Sequence, residues 1–291
     1  MSKNSDVEWA DHTINPWVSA ANWKLPLQLN RQYEKAQSFM EGLIAQPRVF
    51  CQSVGDWLDD EVPISWLANL LRLINATPNL DWQLLTKRPE NFRARLEQAY
   101  SAPGMGSDVA NADWIFHWAN NHGCIPANVW IGVSVENQRH ADERIPQLLA
   151  IPARVRFLSC EPLLGPVEFS DATNRSDWIR QLGKKSLSGI HWVIIGGEIG
   201  PKARPCNIDW IRSIVGQCKA AGVACFVGQL GSNAVMPELC TYAGNPPPLD
   251  SLSLVSCGLR DKKGGEMYEW PSSLRVREFP YTAHPATARH R

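Results

Sequence analysis

The sequence predicts an α/β protein, a partial (β/α) barrel of about six or seven parallel strands of the TIM-barrel kind. Three observations predict it. Short apolar runs with no polar face recur along the chain, as strands covered on both sides require. Each run ends in a cluster of polar residues, and a segment of helical periodicity follows. The length of 291 residues lies slightly above the usual size of a single α/β barrel.

Taken in order, residues 8–17 open with a short strand that ends at the Asn15-Pro16 turn. Residues 22–46 are polar and helix-favouring, interrupted at Gly42 and stopped by Pro47. The next strand, 48–53, runs into Val54-Gly55-Asp56. Pro63 then starts a helix, because its fixed φ and missing N–H suit a first turn. Trp66, Leu67, Leu70, Leu71 and Ile74 share one face of that helix. A strand at 82–86 stops in Lys87-Arg88, and Pro89 begins a helix with Phe92, Leu96 and Tyr100 at helical spacing. Residues 101–127 exceed an ordinary connection and hold one added helix at 113–120, an insertion rather than a domain.

The cycle returns at 129–135, a β-branched strand that finishes in Glu136-Asn137 and leads to a helix with Ala141, Ile145, Leu148 and Leu149 inward. Residues 155–159 form the next strand and end in Cys160-Glu161-Pro162. After a loop-rich segment, 192–195 runs into Gly196-Gly197-Glu198, and a helix follows with Ile208, Ile211, Val215 and Cys218 on one face. The last strand of the series, 223–227, closes on Gly228-Gln229. Residues 1–231 are thus read as the barrel domain. Beyond them the periodicity dissolves: 232–280 is a loop-rich extension packed on the barrel, with Pro246-Pro247-Pro248 extended and a basic turn at 262–265. Residues 274–279 alternate and pair as a late edge strand, and 281–291 read as a disordered tail.

Composition bounds the partners. Lys plus Arg equals Asp plus Glu at 29 each, so a nucleic acid would have to be held by a local patch, and a small-molecule or nucleotide site stays open. No stretch has the length of a membrane span and the N-terminal segment has no apolar core, so a cytoplasmic protein with no membrane partner is expected. The oligomeric state is not legible. The eight cysteines are scattered without a C-x-x-C pair, as packing residues in a reducing compartment. Thirteen tryptophans serve core and rim packing, with base stacking by one or two as the alternative.

In a parallel α/β fold the loops after the strands converge on one face, where ligands bind. The residues gathered there would be Ser53, Asp56, Thr86, Lys87, Arg88, Ser134, Glu136, Asn137, Ser159, Cys160, Glu161, Gly196, Gly197, Glu198 and Gln229. Gly196 and Gly197 let the backbone approach a ligand at which Glu198 points a charge; a tight turn with a solvated Glu is the alternative. Glu136 and Glu161 are candidates to line the pocket, although capping by Asn137 and Pro162 would also explain that pattern. Lys87 and Arg88 would grip a phosphate or carboxylate, or form a surface ion pair. Lys202 and Arg204 add charge through which the glycine loop would receive an anion. Cys51 and Cys160 lie at strand ends with no His beside them in sequence, which favours structural thiols over nucleophiles. Ser134, Asn137 and Gln229 offer hydrogen bonds only.

Four segments carry a resemblance: LLTKRPEN (84–91), NVWIGVSVENQ (128–138), RIPQLLAIPARVRFLSCEPLLGP (144–166) and GGEIGPKARP (196–205). Together, in order over about residues 7–280, they resemble a bacteriophage-associated family of unknown function. That family is itself similar to radical S-adenosylmethionine (SAM) enzymes, spore photoproduct lyase among them. The resemblance implies a partial barrel whose open end carries the site. It also implies a cysteine triplet just after the Asn-Pro turn, holding a [4Fe-4S] cluster with one iron left for SAM.

Here Asn15-Pro16-Trp17 leads straight into Val18-Ser19-Ala20-Ala21-Asn22-Trp23, with no cysteine before Cys51. His12 alone cannot replace three thiolates. Gly228 stands where the family usually has Lys, and Ile199 where it usually has Ser. The expectation is a protein without the cluster and without reductive SAM cleavage, which keeps a pocket for SAM, a nucleotide or a nucleic acid end. Two other readings stay open: an enzyme of another type using Glu136, Glu161 or Cys160, and a decayed gene product without function.

Overall fold

A computed structural model describes residues 20–39, 45–51, 55–103, 109–169, 187–237 and 254–281. The predicted strand at 8–17, Ser53 and the tail after Tyr281 lie outside the described residues. A six-stranded sheet has the order β1 (Arg48–Cys51), β2 (Asp81–Thr86), β3 (Val129–Ser134), β4 (Val155–Cys160), β5 (Trp192–Gly196) and β7 (Ala224–Gln229), with helices in the connections β1–β2, β2–β3, β3–β4 and β5–β7. This is an α/β fold of parallel strands, as a partial (β/α) barrel requires. The chain forms two compact units, 1–133 with 147–156 and 134–146 with 157–291.

In the first unit, α1 (Ala20–Gln37) precedes β1 (Arg48–Cys51), α2 (Ile64–Ala76), β2 (Asp81–Thr86), α3 (Phe92–Tyr100), α4 (Val109–Ala119) and β3 (Val129–Ser134). Strand β2 lies between β1 and β3, parallel to both, with Gln83 opposite Phe50 on one side and Trp130 on the other. Helix α1 stops well before the predicted 46: the Ser38 hydroxyl turns back on Lys35 O at 2.6 Å, and Phe39 N closes a tighter turn on Ala36 O. Leu67, Leu70, Leu71 and Ile74 are buried as the helical spacing predicts. The added helix forms as α4, where Trp118 meets Phe92 edge to face at 5.0 Å and Phe92 meets Trp57 at 6.4 Å.

Thr77 ties helix to strand in this unit. Its buried hydroxyl donates to Leu73 O at 2.7 Å and accepts from Trp82 Nε1 at 3.0 Å. Thr77→Val keeps the shape but removes the hydroxyl that accepts from the indole N–H of Trp82 and donates to Leu73 O, so a loss of about 1 to 2 kcal/mol is expected in urea unfolding.

After β3, α5 (Gln138–Ala150) leads to β4 (Val155–Cys160), β5 (Trp192–Gly196), β6 (Cys206–Asn207), α6 (Ile208–Ala221), β7 (Ala224–Gln229), β8 (Ala234–Pro237) and β9 (Leu254–Ser256). β5 runs parallel between β4 and β7, pairing Phe157 with Trp192 and Trp192 with Ala224, and its register with β7 shifts between Ile195 and Gly196. Helix α6 is capped by Asn207, whose side chain accepts from Asp209 N, and ends at Gly222 with φ 71°. Its buried face is Ile208, Ile211, Ile214 and Cys218, so Ile214 takes the place predicted for Val215.

One feature departs from the sequence reading of 232–265. β8 and β9 form within that aperiodic stretch, β8 pairing parallel with β6 and antiparallel with β9 in a small second sheet. The late edge segment does pair: Val227 N donates to Val276 O and Glu278 N to Cys225 O, both at 2.8 Å, along the free side of β7. Arg277 secures it by lying over the rings of Phe226 and Trp270, at 5.5 and 5.6 Å.

Candidate functional site

The strand ends of the second unit bring together Glu136, Ser159, Glu161, Gly196, Gly197, Glu198 and Gln229 through loop-to-loop bonds. Directly after β4, Glu161 Oε1 accepts a hydrogen bond from Gln229 Nε2, which also reaches Gly197 O at 3.2 Å. The loop beyond Glu161 is pinned on two sides: Leu163 N donates to Gly196 O and Leu164 N to Glu136 O, both at 2.8 Å. The Glu161 carboxylate lies in a niche beside two glycines. A Cβ on Gly196 would stand 3.0 Å from Glu161 Cδ and 2.9 Å from Gln229 Nε2, and one on Gly228 would stand 4.0 Å from Glu161 Oε2. Burial pushes the Glu161 pKa above the ordinary carboxylate value, and the bond from Gln229 opposes that shift in part.

Glu136 is buried more deeply, but its charge is compensated. Its Oε2 lies 2.8 Å from Arg144 Nη1 and 2.7 Å from His140 Nδ1, and Arg144 Nη1 donates as well to Ser134 O at 2.7 Å. The His140 contact has the length of a hydrogen bond, although its Nδ1 is out of line for one, so the arginine carries the pairing. His140 and Arg144 were absent from the sequence expectation. The spacing Glu-x3-His-x3-Arg, which stacks residues on one helical face, was the available signal. Asn137 adopts the capping role: its Oδ1 accepts from His140 N at 3.1 Å. Asn137→Ala is expected to cost about 1 kcal/mol, measured by chemical denaturation. Ser134 and Ser159 are buried, and Ser159 O accepts from Val135 N at 2.8 Å.

The glycine pair has a packing role. A Cβ on Gly197 would lie 2.2 Å from Leu230 O and 2.8 Å from Gly231 Cα, so the close approach at this point is by the protein's own backbone. Glu198 spends its charge on Arg204, with Oε2 2.8 Å from Nε and Oε1 2.9 Å from Nη2, and it also accepts from Arg204 N at 2.8 Å. These bonds hold the Glu198 pKa down at about 2, so the pair stays charged across the ordinary pH range. Arg204 is thereby neutralised as an anion receptor.

The first unit gathers Asp56, Thr86, Lys87 and Arg88. Asp56 accepts from Leu58 N at 3.0 Å, Thr86 Oγ1 at 2.7 Å, Lys87 N at 2.8 Å and Arg88 Nη1 at 3.2 Å. Arg88 Nη1 also lies 3.0 Å from Asp59. This network fastens the loop after β1 to the end of β2, and Arg88 takes part as an ion pair. Cys51 and Cys160 are fully buried, and burial pushes both thiols far up, which suits packing and not nucleophilic attack.

Fold and site together define an α/β protein with parallel strands and a carboxylate-bearing cluster at their carboxyl ends. The chain belongs to the family described as "Protein of unknown function (DUF5131)", whose model matches residues 17–268. No curated protein and no solved structure matches it. Among the described residues no group of three or more His, Cys, Asp or Glu is placed to hold a metal ion, and no helix is long and apolar enough to cross a membrane.

Proposed function

We propose that the chain is a divergent member of the phage-associated, radical-SAM-like group that its motifs resemble, binding a cation-bearing adenosine compound, SAM foremost, at Glu161. It does so without a [4Fe-4S] cluster and without reductive cleavage of SAM. The observation that carries the reading is the Glu161 carboxylate, half-buried, bonded to the neutral amide of Gln229 and flanked by Gly196 and Gly228. A half-buried carboxylate met, among the described residues, by one neutral donor is incompletely compensated. A ligand that supplies positive charge or N–H donors completes it, whereas a phosphate is repelled. SAM, when bound, supplies an ammonium and a sulfonium; Glu161 and Gln229 would hold the cationic end, and Gly196 leaves those two side chains the space they occupy.

The residues present do not fit the cluster. The resemblance puts three thiolates right after Asn15-Pro16, where the sequence has none before Cys51. The thiols of Cys51, Cys160 and Cys206 are buried and raised, that of Cys206 to about 12, the reverse of what a thiolate ligand needs. Isothermal titration with SAM, S-adenosylhomocysteine, adenosine and ATP tests the reading. SAM should bind more tightly than S-adenosylhomocysteine, which lacks the sulfonium charge, and ATP should bind this site weakest. Absence of SAM binding would count decisively against it.

A further inference from the structure

The loop after β5 and the basic turn at 262–265 are far apart in the chain but lie against one another. Ser232 joins them: its hydroxyl accepts from Gly200 N at 3.0 Å and donates to Lys262 O at 2.5 Å. Leu230 N adds a bond to Gly264 O and Ser232 N one to Glu198 O, each at 2.8 Å. Between the two segments opens a cavity of about 630 Å³, a size typical of small-molecule sites.

Its lining divides by chemistry. Ile199, Pro201 and Leu259 give an apolar side, and Ile199 is 48% exposed with nothing of the described chain covering it further. Ser256, Lys262 and Lys263 give a polar side. Neither lysine takes part in an ion pair among the described residues. Asp261 also lines the cavity, but its oxygens accept from the turn's own N–H groups, Lys263 N at 3.2 Å and Gly265 N at 2.6 Å. The neighbouring Glu198 and Arg204 neutralise each other. Two lysines and one carboxylate that is already engaged by the turn therefore line the cavity together with Ile199, Pro201 and Leu259.

We propose that this cavity binds a nucleoside monophosphate, with the phosphate on Lys262 and Lys263 and the flat base against Ile199, Pro201 and Leu259. The charge preference is opposite to that at Glu161, so this inference stands apart from the reading of that site. Paired lysines supply the point charges that a phosphate dianion requires, and the apolar side rewards a base over a bare ion.

Equilibrium dialysis of the full chain against AMP, adenosine, inorganic phosphate and a short single-stranded oligonucleotide tests it. AMP should bind, with adenosine and phosphate each at least tenfold weaker. The double variant Lys262→Ala with Lys263→Ala, and separately Ile199→Asp, should lose at least tenfold in AMP affinity with an unchanged thermal midpoint. Glu161→Gln should leave AMP binding as it is. The proposal is overturned if AMP does not bind, if adenosine binds as well as AMP, or if the lysine variant binds AMP like the parent. It is equally overturned if AMP binding is lost in Glu161→Gln and kept in the lysine variant. An oligonucleotide held more tightly than AMP through the same lysines would make the cavity a nucleic acid surface and also overturn it.

Discussion

Replacing Gly197 by alanine should lower the stability of the chain by about 3 kcal/mol or more, because the added methyl has no place to go. Its nearest neighbours would be the carbonyl oxygen of Leu230 at 2.2 Å and Gly231 Cα at 2.8 Å, both backbone and neither able to swing aside. Relief by movement of the second loop is also blocked. Gly231 has φ +91°, and a Cβ on Gly264 would lie 2.6 Å from Gly231 O, so three chain segments stack backbone on backbone here. The matched control is Gly228→Ala, where the nearest atom would be 3.7 Å away and a change within about 1 kcal/mol is expected. Urea unfolding of the two variants side by side reads the difference; equal stabilities would show that the stacking is not tight.

Glu161→Gln should move stability and binding in opposite directions. Burial holds the folded-state pKa of Glu161 above the ordinary carboxylate value, so the unfolded chain gives up this proton at lower pH than the folded one. Wild-type stability from this group is therefore full below about pH 4, the ordinary value, and is lost as the pH rises through the raised folded value. Glutamine cannot ionise and can still accept from Gln229, so the variant should be the more stable by about 1 kcal/mol at neutral pH. That gap should close toward the acid side. SAM affinity should fall at least about thirtyfold, since the variant removes the charge that the ligand's cation meets. Thermal melts across pH and titration calorimetry on the same preparations separate the cases: a carboxylate with only a structural role would cost stability when replaced.

The strands were legible because strands covered on both faces are written as continuous apolar runs. The predicted 129–135 became Val129–Ser134 and the predicted 155–159 became Val155–Cys160. The inward face of α6 was misread by one position, since Ile214 and Val215 are both apolar and β-branched and the helical spacing admits either. The small sheet of β6, β8 and β9 escaped because strands of two to four residues carry no usable alternation.

At the site, strand-end carboxylates were visible as such, but their different environments were not. Glu136 is compensated by Arg144 two helical turns on, and among the described residues Glu161 meets only the Gln229 amide, from a strand far along the chain. The Glu198 pairing with Arg204 crosses a loop, where no periodic rule applies. Gly197 looked like an approach for a ligand because nothing local shows that Leu230 and Gly231 fill that space. Asp56 likewise reads as a rim carboxylate until Thr86, Lys87 and Arg88 are seen to converge on it.

Iron and acid-labile sulfide assayed on anaerobically purified protein test most directly whether the chain with its strand-end carboxylate Glu161 works without a metal centre. A colourless protein with neither element in stoichiometric amount is the predicted result. A preparation that carries a full [4Fe-4S] complement, with the brown absorption of such clusters, would contradict it.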